Sequence, residues 1–157
     1  MFDPERLSML FASVGFDLTI RAYPAGTPIR DAVHLALLGR LKARIHPSIR
    51  WRTEVPLPRP ADLRGWDAML WVVRRQVGVE AETRPRDLQA LERSLTLKMR
   101  DSGVDSVILL LADTRNNRAF VRAMAATTSD RFPVPGRRAL ELLGVGVHPG
   151  GSSIVLL

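Results

Sequence analysis

The spacing of hydrophobic residues changes along the chain, and each change predicts a new helix or strand. Apolar residues recur every three or four positions from Pro4 to Val14, which is typical of an amphipathic helix. Asp17 to Tyr23 then alternates as a short strand does. Thr27 and Pro28 together have the form of a helix start, an N-cap followed by a proline in the first turn. This second helix is predicted to reach about Ile45, with a buried stripe of Val33, Leu37, Leu38, Leu41 and Ile45.

Three segments in the middle of the chain alternate between apolar and polar residues in the manner of strands. They run from Ile49 to Leu57, from Arg64 to Val73 and from Val77 to Thr83. Only short polar links separate them, and links of this kind join neighbouring antiparallel strands. The sequence therefore predicts a three-stranded antiparallel meander.

The segments after the meander predict a helix, a strand and a second helix. Asp87 has the position of an N-cap for a helix from Leu88 to Ser102, and Gly103 has the position of its C-cap. Val104 to Ala112 is largely apolar, as expected of a central strand buried on both faces. Asp113 to Thr127 contains the second helix.

The last part of the chain predicts a short helix from Gly136 to Leu143 and a final strand from Ser153 to Leu157. A strand–helix–strand crossover after a meander gives a mixed sheet. The predicted fold class is therefore α/β, with a mixed central sheet flanked by helices. A chain of 157 residues fits a single domain. We expect its core at about residues 28–127, and the C-terminal helix and strand at about 133–157.

Composition excludes several classes of protein. No apolar run approaches the roughly 20 residues that span a bilayer, so no membrane partner is expected. The N-terminal sequence MFDPERLSML carries acidic residues where a secretory signal has positive charge, and we interpret it as structural. The chain has no cysteine, which excludes disulfides, zinc-thiolate sites and thiol nucleophiles. These features lead us to expect a cytoplasmic protein.

The formal net charge of +7 favours a polyanionic partner, with nucleic acid, and DNA in particular, as the expected one. Nearly all the basic residues are arginines, since Lys42 and Lys98 are the only lysines. A GC-rich genome also favours arginine without any selection for binding. The charge therefore favours nucleic acid only slightly.

Acidic residues recur in the three strands of the predicted meander, at Glu54, Asp67, Glu80 and Glu82. Because strand side chains alternate between faces, Glu80 and Glu82 share one face of their strand. If Asp67 pairs beside Glu80, two carboxylates converge at one end of the sheet. Two or three hard oxygen ligands suit Mg²⁺, with water and phosphate completing its shell. Such an ion generates hydroxide beside a phosphodiester and stabilises the leaving oxygen.

The predicted helix after the meander adds polar residues to this picture. Glu92 lies within its apolar face, where a carboxylate is costly to bury unless it reaches a partner or a polar site. Gln89 borders the same side and Lys98 flanks the other. The apolar face itself is formed by Leu88, Leu91, Leu95 and Met99.

This order of elements resembles the core of the restriction-endonuclease-like family, whose motif is written PD-(D/E)XK. Asp67 in GWDAML matches the aspartate of the family's second strand, and Glu80 in VEAET matches the acidic residue of its third. The family's lysine position falls on Glu82, which is a departure. In some members that lysine lies on the following helix, where Lys98 is the candidate. Gln89 matches a polar helix position of several branches.

The resemblance implies a Mg²⁺-dependent nuclease, with Mn²⁺ as a substitute metal. Asp67 and Glu80 would hold the metal, and Glu82 or a backbone carbonyl would add a ligand. Gln89 or Lys98 would position the attacking water. Nearby arginines would contact phosphates, or would instead balance the charge of Glu80 and Glu82. The arginines in question are Arg74, Arg75, Arg84 and Arg86.

A second resemblance covers most of the chain and implies a different function. The phrases RAYPAGTPIRDAVHL, WRTEVPLP, VEAETRPRDLQALERSLTLKMRDSGVDSVILLLADT and GGSSIVLL look like the region after the helix-turn-helix of certain actinobacterial DNA-binding regulators. The chain itself shows no helix-turn-helix. In this interpretation it is a catalytically inactive effector or dimerisation domain. A homodimer is then expected, with a helix-turn-helix domain upstream in the native gene.

Structural roles remain open for each candidate. Asp67 follows Gly65 and Trp66, so it suits a turn. The two glutamates at 80 and 82 suit a solvated face paired with arginines, Glu54 suits a cross-strand ion pair, and Lys98 suits a surface lysine with a buried stem. No role is assigned to the histidines, which are His34, His46 and His148. Positions in the core or as anchors for a partner are expected for the tryptophans, which are Trp51, Trp66 and Trp71.

Overall fold

Six strands form one mixed sheet, with helices on both faces, in the computed structural model of the chain. The structure describes residues 4–13, 15, 28–59 and 62–157. The predicted strand from Asp17 to Tyr23 and the predicted N-cap Thr27 lie outside the described residues. In chain order the elements are α1 (Pro4–Ser13), α2 (Pro28–Lys42), β1 (Arg50–Pro56), β2 (Gly65–Val72), β3 (Arg75–Glu82), α3 (Leu88–Ser102), β4 (Ser106–Leu111), α4 (Arg115–Thr128), β5 (Val134–Pro135), α5 (Gly136–Gly144) and β6 (Ser153–Leu156).

The sheet has the strand order β1-β2-β3-β4-β6-β5. β1, β2 and β3 form the predicted antiparallel meander, and α3 then crosses over to β4, which is parallel to β3. β6 is parallel to β4, and β5 is parallel to β6 at the edge. The predicted α/β class with a mixed sheet is confirmed. β5 is absent from the prediction because two residues are too short for a periodic signal.

Each face of the sheet has its own apolar layer. Leu41 of α2 and Leu143 of α5 belong to the layer on one face. On the other face, Leu95 of α3 packs with Trp66 and Val107. All six residues of β4 are buried because that strand lies between both layers. α2 and α3 therefore approach the sheet from opposite sides.

The helix α3 has the predicted bounds because both of its ends are encoded locally. The Asp87 side chain accepts a hydrogen bond from the Ala90 N–H at 3.0 Å, which satisfies one of the unpaired donors of the first turn. Gly103 closes the helix in the left-handed conformation, with φ 68°, and its N–H donates to the Met99 carbonyl. These caps fix which turns of α3 lie over β2 and β3.

The helix α2 differs from its prediction at both ends of the apolar stripe. Leu37, Leu38 and Leu41 are buried as predicted, but Val33 is 45% exposed and the helix ends at Lys42. At the level of Val33 the sheet presents Asp67, which contacts His34 of α2. Among the described residues the apolar layer does not extend to Val33.

A two-residue loop joins β2 to β3, since Val72 pairs with Arg75. Val73 in this loop has φ 58° and is 91% exposed. A β-branched residue is strained in the left-handed region, and here no packing compensates for the strain.

We expect Val73→Gly to raise the free energy of unfolding by about 1 kcal/mol, because glycine adopts a positive φ without a steric penalty. The measurement is urea-induced unfolding followed by circular dichroism. Val73→Ala is the matched control, since it removes the same exposed branches but retains the Cβ atom. Equal changes in the two variants would contradict strain at this position.

No helix in the described part of the chain has both the length and the apolar composition needed to cross a membrane.

Candidate functional site

The regular pattern of the sheet breaks at Asp67. The ladder between β1 and β2 pairs residues on either side but skips Asp67 and Glu54, and Glu54 has a positive φ of 51°. The ladder between β2 and β3 ends at Ala68, one residue after Asp67. Trp66 and Ala68 would share a face in a regular strand, yet they belong to the apolar layers of opposite faces. β2 is therefore irregular at Asp67.

The Asp67 carboxylate takes the place of the missing ladder contact. Its Oδ2 atom accepts a hydrogen bond from the Ala81 N–H of β3 at 2.8 Å. The same oxygen lies 3.2 Å from Nε2 of His34, on α2. Asp67 raises the pKa of His34 through this hydrogen bond, against the opposing effect of burial, and the charges of Asp67, Glu80 and Glu82 raise it further. The carboxylate is thus held between a strand and a helix, and about a third of each of the two side chains remains exposed.

Lys98 of α3 forms a bidentate ion pair with Glu80 of β3. Its Nζ atom lies 2.8 Å from Oε1 and 2.7 Å from Oε2. Only 10% of the lysine side chain and 18% of the glutamate side chain are exposed. The interpretation of Lys98 as a surface lysine is therefore wrong, because the stem runs beneath α3 and the ammonium points at the sheet.

Burial raises the pKa of Glu80 to about 7, and the nearby charge of Asp67 contributes in the same direction. Lys98 opposes both effects through its charge and its hydrogen bonds. Asp67 and Glu80 thus lie on neighbouring strands, but their side chains contact different helices: Asp67 contacts His34 of α2, and Glu80 contacts Lys98 of α3.

Trp66 positions the lysine. The Lys98 ammonium lies 5.6 Å from the centroid of the Trp66 ring. The indole N–H donates to Ser102 Oγ at 3.1 Å, and Ser102 Oγ donates to the Lys98 carbonyl at 2.6 Å. Beneath the ring lies Gly78, where an added Cβ would come within 2.7 Å of the indole. Trp66 is 1% exposed, which agrees with its predicted core position.

The remaining predicted site residues lie in different places. Glu82 is partly buried, and its Oε1 atom accepts from the Arg84 N–H at 2.9 Å. Gln89 is exposed, and no hydrogen bond joins its side chain to another described residue. Glu92, on the same helix, is only partly buried. Glu54 is exposed, and no described residue forms an ion pair with it. The structure therefore brings together Asp67 and Glu80 with a lysine from α3, but not with Gln89.

The four arginines predicted to contact phosphates or the glutamates lie in two separate places: Arg74 and Arg75, and Arg84 and Arg86. Arg75 begins β3 and Arg74 lies in the hairpin before it, whereas Arg84 and Arg86 follow the strand's carboxyl end. The eight residues of β3, of which Arg75 is the first, span roughly 25 Å and separate the two pairs. Arg84 and Arg86 are exposed at the end of β3 where Asp67 and Glu80 lie.

His34 is the site residue that sequence reasoning missed. Its position three residues before Leu37 and four before Leu38 puts it on the side of α2 that faces the sheet. That periodicity is the signal that identifies it, since a histidine on the buried side of a helix needs a polar partner.

A second histidine contact does not form a nucleophilic pair. His148 Nδ1 accepts from the Gly150 N–H at 2.9 Å, so in the neutral ring the proton is on Nε2. That nitrogen lies 3.1 Å from Oγ of Ser106. It therefore donates to the hydroxyl and cannot remove its proton, and the contact tethers the loop after α5 to the start of β4.

A cluster of opposite charges lies beside the site; we call it the Asp101 cluster, and its members are Arg59, Asp62, Arg64, Arg100 and Asp101. The Asp101 side chain is fully buried. It accepts from Arg64 Nη2 at 2.6 Å and from Arg100 Nε at 2.8 Å, and Arg59 Nη2 lies 3.4 Å away. Asp62 accepts from Nε, Nη2 and the backbone N–H of Arg64.

The Asp101 cluster predicts a specific loss of stability in acid. Hydrogen bonds from Arg100 and then Arg64 lower the pKa of Asp101 to about 2, from an ordinary value of 3.8. A lowered folded-state pKa gives stability that is complete above about pH 4 and is lost as the pH falls towards 2. We expect Asp101→Asn to be less stable than the wild type at pH 7 and to lose less stability between pH 5 and pH 2.

Urea unfolding at a series of pH values measures this difference, with Asp130→Asn as the control at an exposed aspartate. The control should retain the pH dependence of the wild type. A pH dependence in Asp101→Asn as steep as that of the wild type would contradict the assignment of the acid loss to Asp101.

Carboxylates such as those of Asp67 and Glu80 are the type of donor that Mg²⁺ takes. Within the described residues, no three His, Asp or Glu side chains are grouped in a way that could hold a metal. Mg²⁺ commonly takes only one or two carboxylates from the protein and completes its octahedral shell with water and phosphate oxygens. Asp67 and Glu80, on neighbouring strands, are the two candidate carboxylates, and both oxygens of Glu80 also contact Lys98.

Comparisons with models of known protein families, with curated proteins and with solved structures found no match for this chain. The function is therefore inferred from the site.

Proposed function

We propose that this chain is a restriction-endonuclease-like domain that binds nucleic acid, expected to be DNA, and hydrolyses a phosphodiester bond with the help of Mg²⁺. The observation that carries the proposal is the placement of Asp67 on β2 next to Glu80 on the neighbouring strand β3, with Lys98 of α3 paired to Glu80. Asp67 and Glu80 come from the strands on which the family resemblance expects them, and Lys98 comes from the helix on which some members carry the lysine.

The fold around the site supports the proposal. A helix, an antiparallel meander of three strands, a crossover helix and a fourth strand parallel to the third follow one another from α2 to β4. This is the order of elements that the restriction-endonuclease-like resemblance implies. The break in β2 at Asp67 also supports a site, because irregular backbone at the end of a sheet is common where a side chain is re-aimed for function.

Each polar residue has a role in this mechanism. Asp67 and Glu80 would hold Mg²⁺, which lowers the pKa of a water molecule and offsets the charge of the phosphate. Lys98 supplies the positive charge that Glu82 lacks at the family's lysine position, and it stabilises the ionised form of Glu80. His34 and the Ala81 N–H both contact Oδ2 of Asp67, so Oδ1 takes part in neither contact.

The test is a cleavage assay on plasmid, single-stranded DNA and RNA, with Mg²⁺, with Mn²⁺ and with EDTA. We expect cleavage that requires a divalent metal. Absence of cleavage at high protein concentration with either metal would overturn the enzymatic proposal.

One observation favours a second candidate function, a catalytically inactive effector or dimerisation domain of a transcriptional regulator. Both carboxylates already have a partner within the fold, since Asp67 pairs with His34 and Glu80 pairs with Lys98. Ion pairs of this kind also stabilise a site that binds no metal. Thermal unfolding with and without Mn²⁺ separates the two candidates, because only a metal site gains stability from the metal by mass action.

A further inference from the structure

The Asp101 cluster has more positive than negative charge. Three guanidinium groups, those of Arg59, Arg64 and Arg100, face the two carboxylates of Asp62 and Asp101. One positive charge is therefore left over. The excess is at the surface, because the Asp101 side chain is fully buried while Arg59 and Arg100 are 59% and 63% exposed.

The arginines of the Asp101 cluster differ in how many donors they have left. Arg64 forms a fork on Asp62 and also reaches Asp101, so it is committed to the fold. Arg100 uses Nε and Arg59 uses Nη2 for their contacts with Asp101. A guanidinium has five N–H donors, so most donors of these two exposed side chains take no part in the described contacts. Two oriented guanidinium groups over a buried carboxylate suit an oxyanion such as a phosphodiester.

The position of the cluster relates it to the proposed site. Asp101 lies three residues after Lys98, within one turn of α3, or about 5 Å along the helix axis. Arg64 lies three residues before Asp67, and Trp66 between them is hydrogen-bonded to Ser102 beside Asp101. A nucleic-acid strand whose scissile phosphate lies at Asp67 would therefore pass close to Arg59 and Arg100.

We propose that Arg59 and Arg100, held by Asp101, form a binding site for the phosphate backbone of the nucleic acid, next to the site of hydrolysis. This inference rests on the proposed function and assigns its substrate contact. Because the groups contact phosphate and not base edges, the site binds without sequence preference. The buried carboxylate fixes both guanidinium groups before the nucleic acid arrives, which reduces the entropy lost on binding.

The test is the salt dependence of binding to a fluorescent single-stranded DNA and to its duplex, measured by fluorescence anisotropy in EDTA so that no cleavage occurs. The variant is Arg59→Ala/Arg100→Ala. The matched control is Arg137→Ala/Arg138→Ala, which also removes two exposed arginines that share one carboxylate, Glu141 of α5. α5 lies on the opposite face of the sheet from α3.

We expect the slope of log affinity against log salt to fall by about 1 for each phosphate contact that is lost, so by about 2 in the Arg59/Arg100 variant. The control should change the slope far less. If the double variant does not fold, Arg59→Ala alone replaces it, because two arginines then remain on Asp101. The slope is then expected to change by about 1.

Equal slope changes in the two double variants would overturn the assignment of the phosphate site and would leave the proposed hydrolysis untouched, since that is measured separately by cleavage. A wild type that does not bind nucleic acid at low salt would also overturn the phosphate site, and the cleavage assay alone would then decide on the hydrolysis. If the salt slope falls only in the Arg59/Arg100 variant and the wild type does not cleave, the phosphate site is supported and the proposed hydrolysis is overturned.

Discussion

Asp67→Asn is expected to reduce metal-dependent cleavage by about 1000-fold. The substitution keeps the size of the side chain and an oxygen that accepts from the Ala81 N–H, so the break in β2 is preserved. It removes a negative charge from the pair of carboxylates that would hold Mg²⁺, and a bound metal contributes several kcal/mol of transition-state stabilisation. The rate of plasmid nicking under single-turnover conditions measures the effect.

Asp130→Asn is the matched control, since Asp130 is exposed in the turn after α4. Its cleavage rate should equal that of the wild type. A wild-type rate in Asp67→Asn would place the nuclease activity elsewhere or assign it to a contaminating enzyme. The variant should bind Mn²⁺ more weakly, because it lacks one of the two carboxylates proposed to hold the metal. Its thermal stability without metal should change little, because the charge of Asp67 also disfavours the ionised form of Glu80.

The parts of the fold that the sequence predicted are those whose signals are local. α3 has its predicted bounds because Asp87 and Gly103 cap it with contacts inside one turn. The strands of the meander follow from the alternation of their side chains, and β4 follows from its continuous apolar run. The sequence could place Asp67 and Glu80 on neighbouring strands, because a short hairpin fixes the register of β2 and β3, which pair from Ala68 and Val79 onwards.

The parts that the sequence did not predict depend on contacts between distant segments. Glu54 has a positive φ although it is not glycine. The residue type therefore does not predict the break in the ladder opposite Asp67. Lys98 lies at the border of the apolar stripe of α3, and its burial depends on how Leu95 docks against Trp66. Which flank of a helix turns towards a sheet is decided by this packing and not by helical periodicity.

Lys98→Met is expected to destabilise the protein by about 3 kcal/mol at pH 8 and to reduce cleavage by about 100-fold. Methionine preserves the apolar stem over Trp66 but leaves the Glu80 carboxylate buried without its counter-charge, and breaking a buried ion pair on one side carries a cost of this size. The loss of cleavage follows from the loss of positive charge beside the reacting phosphate. Lys42→Met is the matched control, because Lys42 is the only other lysine and is exposed.

The destabilisation should depend on pH with a defined sign. Glu80 has a folded-state pKa of about 7, above the ordinary value of 4.5, and the loss of Lys98 removes an effect that lowers it. A raised folded-state pKa means that folding favours the protonated form, so stability is greatest below about pH 4.5 and falls as the pH rises through the folded-state value. Lys98→Met should therefore lose more stability between pH 5 and pH 8 than the wild type does.

Glu80→Gln/Lys98→Met separates the structural from the catalytic role of the ion pair. With both charges removed, neither partner is left as an uncompensated buried ion, and we expect most of the stability at pH 8 to return. Cleavage should not return, because the double variant lacks both a metal ligand and the ammonium. If the double variant were as unstable as Lys98→Met at pH 8, the buried Glu80 charge would not be the cause of the destabilisation. If instead it cleaved as the wild type does, Glu80 and Lys98 would have only a structural role, and the enzymatic proposal at this site would be wrong.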